Sequence, residues 1–279
     1  MNVWLITGAS RGFGREIARQ ALDRGDAVVA TARRPERIAE VLPGYGERLL
    51  SAPLDLADPA QASAVARAAA DQFGRIDILV NNAGHGLLGA VEEATAAEVS
   101  AVFQTNVFGL LAVTRAVLPV MRAQRSGRIL NMSSLGGFAQ SAGWGIYGAT
   151  KFAVEGLSEA LRAEVEPLGI QVVIVEPGGF RTDFLDGSSL HTASQVIADY
   201  AATAGQVRAQ AAVRNLTQVN DPVKGAAAIV MIATVADPPV RLQLGADCVA
   251  AVEGKLQQVA DELGKWREVA LATAYDNGT

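Results

Sequence analysis

The sequence predicts an α/β fold, a doubly wound parallel sheet of about seven strands with helices on both faces, spanning residues 1–279 as one domain. Three observations predict it. Short apolar runs without polar alternation, such as Val3-Trp4-Leu5-Ile6, have the look of strands buried on both faces. These runs alternate with helical patterns, and neither an internal repeat nor a linker-like stretch interrupts them. The first run stops at Thr7-Gly8 in a glycine-rich turn that opens a helix, the arrangement that receives a phosphate group.

In chain order, Val3 to Ile6 is the first strand. Thr7-Gly8-Ala9-Ser10-Arg11-Gly12-Phe13-Gly14 is the turn, and Ile17, Ala18 and Ala21 begin the helix. Free N–H groups at that helix start suit a pyrophosphate, although GxxxGxG departs from the commoner GxGxxG spacing and an ordinary glycine turn is the alternative. Ala27 to Thr31 is the second strand. Dinucleotide sites usually keep a carboxylate for the ribose hydroxyls at its end, whereas this chain has Ala32-Arg33-Arg34 there and Asp26 at the opposite end. Arg11, Arg33 and Arg34 can form a cationic cup for a 2′-phosphate, favouring NADP over NAD; solvated loop arginines are the alternative.

Leu49 to Leu54 is the third strand, with Asp55-Leu56 at its tip near an adenine, and Asp58-Pro59 caps the next helix. Ile76 to Val80 is the fourth, running into Asn81-Asn82-Ala83-Gly84, small residues where backbone must approach a ligand. Thr95-Ala96-Ala97-Glu98 is a capping box, and Val99, Val102, Phe103, Asn106 and Leu110 follow one inward stripe of the helix it opens. An inward amide needs partners, so Asn106 is either a bonded core residue or part of the site. Arg128 to Met132 is the fifth strand and delivers Ser133 and Ser134 at its carboxyl end. Val154, Leu157 and Leu161 continue the apolar side of the following helix. Gln171 to Val175 is the sixth strand, ending at Glu176-Pro177-Gly178. From about residue 180 to 220 the pattern loosens into a lid without a clear strand. Asp221-Pro222 restarts a helix, Arg241 to Leu244 is the last strand, and about 248 to 274 is a helical extension.

Composition narrows the partners. A net charge of -5 with interspersed charges offers no basic stripe for nucleic acid or a membrane surface, and no apolar run is long enough to cross a bilayer. A small molecule is the expected partner. The lone Cys248 cannot form an internal disulfide, and His85 and His191 lack metal-ligand companions, so no metal is expected. No leader is read ahead of Val3, and the cytoplasm is the expected location.

The chemistry centres on Tyr147-Gly148-Ala149-Thr150-Lys151. Four residues apart on a helix, the phenol and the ammonium share one face. A free tyrosine titrates near about 10, and a neighbouring cation favours the phenolate, drawing the group toward acid/base duty.

Taken together, these residues resemble the short-chain dehydrogenase/reductase family, a Rossmann-like fold, over nearly everything from Val3 to about Leu244. The resemblance is carried by TGxxxGxG at Thr7 to Gly14, NNAG at Asn81 to Gly84, Asn106, Ser134, YxxxK, and PGxxxT from Pro177 and Gly178 to Thr182. It implies that Tyr147 protonates a carbonyl, Ser134 polarises its oxygen, and Lys151 lowers the tyrosine pKa and binds the nicotinamide ribose. Asn106 would hold a relay water, Thr182 the carboxamide and Asp55 the adenine. Gly8, Ser10, Gly12, Phe13, Gly14, Leu56, Asn82, Ala83 and Gly84 would line the cofactor. Basic residues at the places of Arg11 and Arg33 go with NADP (NADPH) in relatives.

The expected activity is NADPH-dependent reduction of a mainly apolar ketone, or oxidation of the matching secondary alcohol, near Leu88, Leu135, Phe138, Trp144, Phe184 and Leu185. A non-catalytic dinucleotide sensor and an epimerase or dehydratase are the alternatives. Many relatives end soon after the last strand, in a tail that packs on a neighbouring subunit. Here Val252, Leu256, Val259, Leu263, Trp266 and Ala270 repeat at spacings of four and three instead. This stripe must be buried on its own body or on a partner, and a homodimer is expected in place of a tetramer.

Overall fold

The computed structural model describes residues 1–275. Its strands are β1 Val3–Thr7, β2 Ala27–Ala32, β3 Leu49–Pro53, β4 Ile78–Asn81, β5 Gly86–Leu88, β6 Gly127–Met132, β7 Ile170–Pro177, β8 Leu190–Thr192 and β9 Arg241–Leu244. Seven of them form one sheet in the order β3-β2-β1-β4-β6-β7-β9, every pair parallel. The helices are α1 Gly12–Asp23, α2 Glu36–Val41, α3 Pro59–Phe73, α4 Ala96–Phe103, α5 Leu110–Gln124, α6 Gly145–Val165, α7 Gln206–Arg214, α8 Pro222–Ile232 and α9 Ala246–Leu271.

Continuous apolar strands are what this arrangement requires, because each face of the sheet carries its own core. Trp4, Ile6, Val28 and Val80 face one way, onto Ile17 and Leu22 of α1 and Ile229 of α8. Leu5, Val29, Leu79 and Ile129 face the other, onto Val65 and Ala69 of α3 and Val113, Val117 and Met121 of α5. Local signals set the helix ends. Asp58 accepts from the Ala60 N–H ahead of Pro59, and Gly74 closes α3 in the left-handed conformation at φ 73°. Thr95 and Glu98 make the reciprocal capping box at α4. By length and composition, 96–124 is apolar enough to cross a membrane; its buried Val102, Val113, Val117 and Met121 lie in the domain interior.

A buried polar chain ties the layers together beneath the ligand edge. Asn81 Nδ2 donates to Thr114 Oγ1 at 2.9 Å and to Asn131 Oδ1 at 2.8 Å, and Asn131 Nδ2 donates to Ser158 Oγ at 2.8 Å. In one run of bonds α5, β4, β6 and α6 are locked in register, which fixes the strand ends that carry the site.

Three features differ from the sequence expectation. The stripe through Asn106 is not one regular helix: Gln104–Gly109 is a π-helical turn between α4 and α5, as often occurs at functional sites. The lid does contain a strand, since Leu190–Thr192 pairs in parallel with Gly86–Leu88. Leu157 is 36% exposed, so the apolar side of α6 runs through Val154 instead.

Candidate active site

Everything converges at the carboxyl ends of the strands. Ser134 follows β6, and Tyr147 sits in the first turn of α6, 7% exposed, with Lys151 one turn on at 6%. Lys151 Nζ donates to the Met132 carbonyl at 2.7 Å, which holds the ammonium against the tip of β6 and 5.7 Å from the Tyr147 ring centre. The rings of Trp144 and Phe184 lie 5.7 and 5.5 Å from that of Tyr147. A phenol boxed in this way keeps its proton. Burial pushes the Tyr147 pKa up to about 12, and the Ser134 hydroxyl pulls it the other way. Burial brings the Lys151 ammonium down to about 8, against the pull of Glu155.

The expected lowering of the tyrosine pKa by Lys151 is therefore corrected. The ammonium is bonded to a carbonyl, desolvation dominates, and Ser134 is the group that favours the phenolate. The sign suits an acid, because a phenol that holds its proton at neutral pH has one to give.

Asn106 resolves toward the bonded core residue. Its Oδ1 accepts from His85 N at 3.0 Å, and its Nδ2 donates to the His85 carbonyl at 2.9 Å and to Thr150 Oγ1 at 3.1 Å. The π turn places this amide so that it pins the loop after β4 to α6, beside Tyr147 and Lys151.

Behind Lys151 lies a cluster that sequence reasoning missed. Arg241 Nε lies 3.0 Å from Glu155 Oε2 and 3.2 Å from Glu176 Oε1, and Gln243 Nε2 donates to Glu176 Oε2 at 3.0 Å. Burial raises the Glu155 carboxyl to about 7, with Ser133 lowering it. The i, i+4 spacing of Lys151 and Glu155 was the only signal available; Glu176 and Arg241 come from β7 and β9.

The glycine loop has the shape of an anion cradle. Gly8 and Gly12 adopt φ 68° and 52°, and a Cβ on Gly14 would run into the Gly8 carbonyl oxygen and the Asn82 amide. Asn82 Nδ2 donates to the Thr7 carbonyl at 2.8 Å, and Thr7 Oγ1 accepts from Asn82 N and Ala83 N. Among the described residues no side chain caps α1, and no acid lies in its first turn, which leaves its N–H groups for a phosphate.

The chain as a whole is matched in known proteins. The family model described as short chain dehydrogenase covers residues 2–193. The chain belongs to the short-chain dehydrogenase family. A solved short-chain dehydrogenase from Streptomyces avermitilis has a TM-score of 0.91 to it at 42% identity, covering 98% of this chain and 100% of that one. Oxidoreductase BOA17 of Botryotinia fuckeliana is 38% identical over 98% of this chain and 99% of its own. A 3-ketodihydrosphingosine reductase of Bacteroides thetaiotaomicron is 42% identical over 71% of each. This short-chain dehydrogenase is accordingly an NAD(P)-dependent oxidoreductase.

The remaining cofactor residues divide by position. Arg33 and Arg34 are exposed past β2, while Asp26 at the far end is occupied by Trp4 Nε1 and the Asn2 N–H. Arg11 does not join the cup: its guanidinium donates to Ser188 Oγ, to the Ser188 carbonyl at 2.8 Å and to Ser189 Oγ at 2.7 Å, fastening the lid to the glycine loop. Phe13 packs edge-on to Phe180. Leu56 is a core side chain beneath Gly109, which leaves Asp55 as the polar tip of that edge. Thr182 lies across from Gly12, and Gly178 closes against Asp247.

The lid is closed. Leu88, Leu190 and Ala211 form a small core against Trp144, Leu185 and Val207, so Leu88 and Leu185, expected at the substrate, are in large part lid packing. Glu93 accepts from the Ile197 and Ala90 N–H groups and pairs with Arg208, and Glu98 accepts from Ser194 N.

Proposed function

We propose that this protein is an NADPH-dependent carbonyl reductase, reversible as a secondary alcohol dehydrogenase, that acts in the cytoplasm on mainly apolar ketones. The observation that carries the reading is the Tyr147 phenol, protonated, beside the Ser134 hydroxyl and backed by the Lys151 ammonium at the ligand edge of the sheet. NADPH, when bound, supplies the hydride. The chain does the rest: Ser134 Oγ donates a hydrogen bond to the carbonyl oxygen, and Tyr147 Oη gives that oxygen its proton as negative charge develops there. Lys151 keeps a positive charge behind the phenol as it becomes phenolate. Gly8, Gly12 and Gly14 let the pyrophosphate approach backbone N–H groups at α1, and Arg33 and Arg34 meet the 2′-phosphate.

The apolar preference rests on Trp144 and Phe184, whose rings flank the phenol. A relative named for 3-ketodihydrosphingosine supports a ketone. Steady-state NADPH oxidation across a ketone panel tests this. Apolar ketones should exceed small keto acids in kcat/KM by at least about tenfold, since each buried methylene contributes to binding. Preference for the charged acids would remove the substrate assignment.

A further inference from the structure

The first turn of α9 grips the loop that follows β7. The helix meets its own subunit through its base, where Cys248 and Val252 are buried, whereas Leu256, Val259, Leu263 and Trp266 farther along are exposed. At that base the Cys248 thiol donates to the Glu176 carbonyl at 3.0 Å. One residue earlier, both carboxylate oxygens of Asp247 are taken: Oδ2 accepts from Gly179 N at 2.7 Å, and Oδ1 accepts from Asn220 Nδ2 at 2.8 Å. The same Asn220 amide donates to the Gly179 carbonyl at 2.9 Å, so the N–H and C=O of Gly179 are both held. The Asn220 backbone extends the hold, its carbonyl accepting from Arg181 N at 3.0 Å.

Glycine is needed on both sides of this carboxylate. A Cβ on Gly178 would lie 2.4 Å from each Asp247 oxygen, and one on Gly245, at φ 95°, would meet Asn220 Nδ2 at 2.5 Å and Asp247 Oδ1 at 2.6 Å. The loop so braced is the one that reaches the cofactor edge. The Phe180 ring packs on Phe13 of the glycine loop with centroids 4.9 Å apart, and Thr182 comes next, across from Gly12. From Asp247 to the glycine loop the contacts are continuous.

We propose that Asp247 and Asn220 are positioning residues for the nicotinamide end of NADPH, acting through Gly179 to hold Gly178 and Thr182 in place for the carboxamide. This rests on the reading of Pro177, Gly178 and Thr182 as the nicotinamide contacts. The physical basis is preorganisation. Two consecutive glycines have more backbone freedom to lose than any other pair, and a carboxylate bonded to the second of them removes that freedom before the cofactor arrives.

Calorimetric titration of the full chain with NADPH and with 2′-phospho-ADP-ribose, which keeps the adenosine and the pyrophosphate but lacks the nicotinamide, is the test. Asp247→Ala should weaken NADPH about fivefold, the worth of a hydrogen bond at the surface, and leave the fragment within about twofold of wild type. Asn220→Ala keeps the backbone bonds of the segment and should show the same selective loss. The double variant should lose little more than either alone, because the two side chains form one brace. Without cofactor, hydrogen exchange of a peptide spanning 177–182 should be faster in each variant. Equal losses for NADPH and the fragment, or no loss for either, overturn the proposal while leaving the cofactor reading intact. Wild type that binds NADPH no more tightly than the fragment overturns the nicotinamide reading and this proposal with it.

Discussion

Tyr147→Phe is expected to lower kcat for ketone reduction by at least about 10²-fold to 10⁴-fold while NADPH binding changes little. The ring keeps its contacts with Trp144 and Phe184, and Lys151 keeps its bond to the Met132 carbonyl, so the packing that shapes the site survives. What is lost is the one proton positioned for the carbonyl oxygen. The pH dependence should change with it. In wild type the phenol, raised to about 12, stays protonated across the neutral range, and the Lys151 ammonium, lowered to about 8, is charged below that value and neutral above it. Reduction is then sustained at neutral pH and declines as pH rises through about 8. Alcohol oxidation, which needs the phenolate, rises only at higher pH, as the phenol nears its raised value of about 12. Tyr147→Phe should flatten both profiles. Activity within a few fold of wild type, with the profiles intact, would take Tyr147 out of the proton transfer.

Arg33→Ala is expected to raise the KM for NADPH by about 10- to 150-fold while changing the KM for NADH by no more than a few fold. Only NADPH carries the 2′-phosphate, and charge-assisted contact to it has no counterpart in NADH. The end of β2 offers no carboxylate to a ribose hydroxyl, because Asp26 lies at the opposite end and is engaged by Trp4 and Asn2. Since Arg33 is exposed and no hydrogen bond to another described residue holds its side chain, its loss should leave the fold unchanged. Equal losses with both cofactors would show that Arg33 does not read the phosphate.

The parts that were legible in the sequence are those set by short-range chemistry. Strands buried on both faces must be apolar throughout, which made β1, β2 and β6 plain. A turn with two positive-φ positions needs glycine, which made the cradle plain. Tyr147 and Lys151 were readable because one helical turn joins them. The parts that were not legible depend on partners distant in the chain. The place of Arg11 in the loop points to a phosphate, but Ser188 and Ser189, far away in sequence, take its guanidinium. β8 is three residues long and exists only because Gly86–Leu88 pairs with it, so no periodicity could reveal it. The π turn at 104–109 shifts Asn106 off the regular helical face, and Thr150 and His85 then claim its amide. Glu155 and Glu176 look like surface carboxylates in sequence, and only the approach of Arg241 from the last strand explains their burial. For α9 the apolar period was readable, but its covering was not, because the helix leaves the body that a single chain describes.

Hydride transfer itself tests the central claim most directly. NADPH carrying deuterium on the transferring face of the nicotinamide, incubated with the protein and an apolar ketone in ordinary water, should give an alcohol with one deuterium on the carbinol carbon. The hydroxyl proton should come from solvent, as it does when Tyr147 is replenished from water after each turnover. Mass spectrometry of the product reads the outcome. Stoichiometric deuterium in the alcohol is the predicted result; tight NADPH binding with no deuterated product from any ketone in the panel would contradict the account and point to a dinucleotide sensor instead.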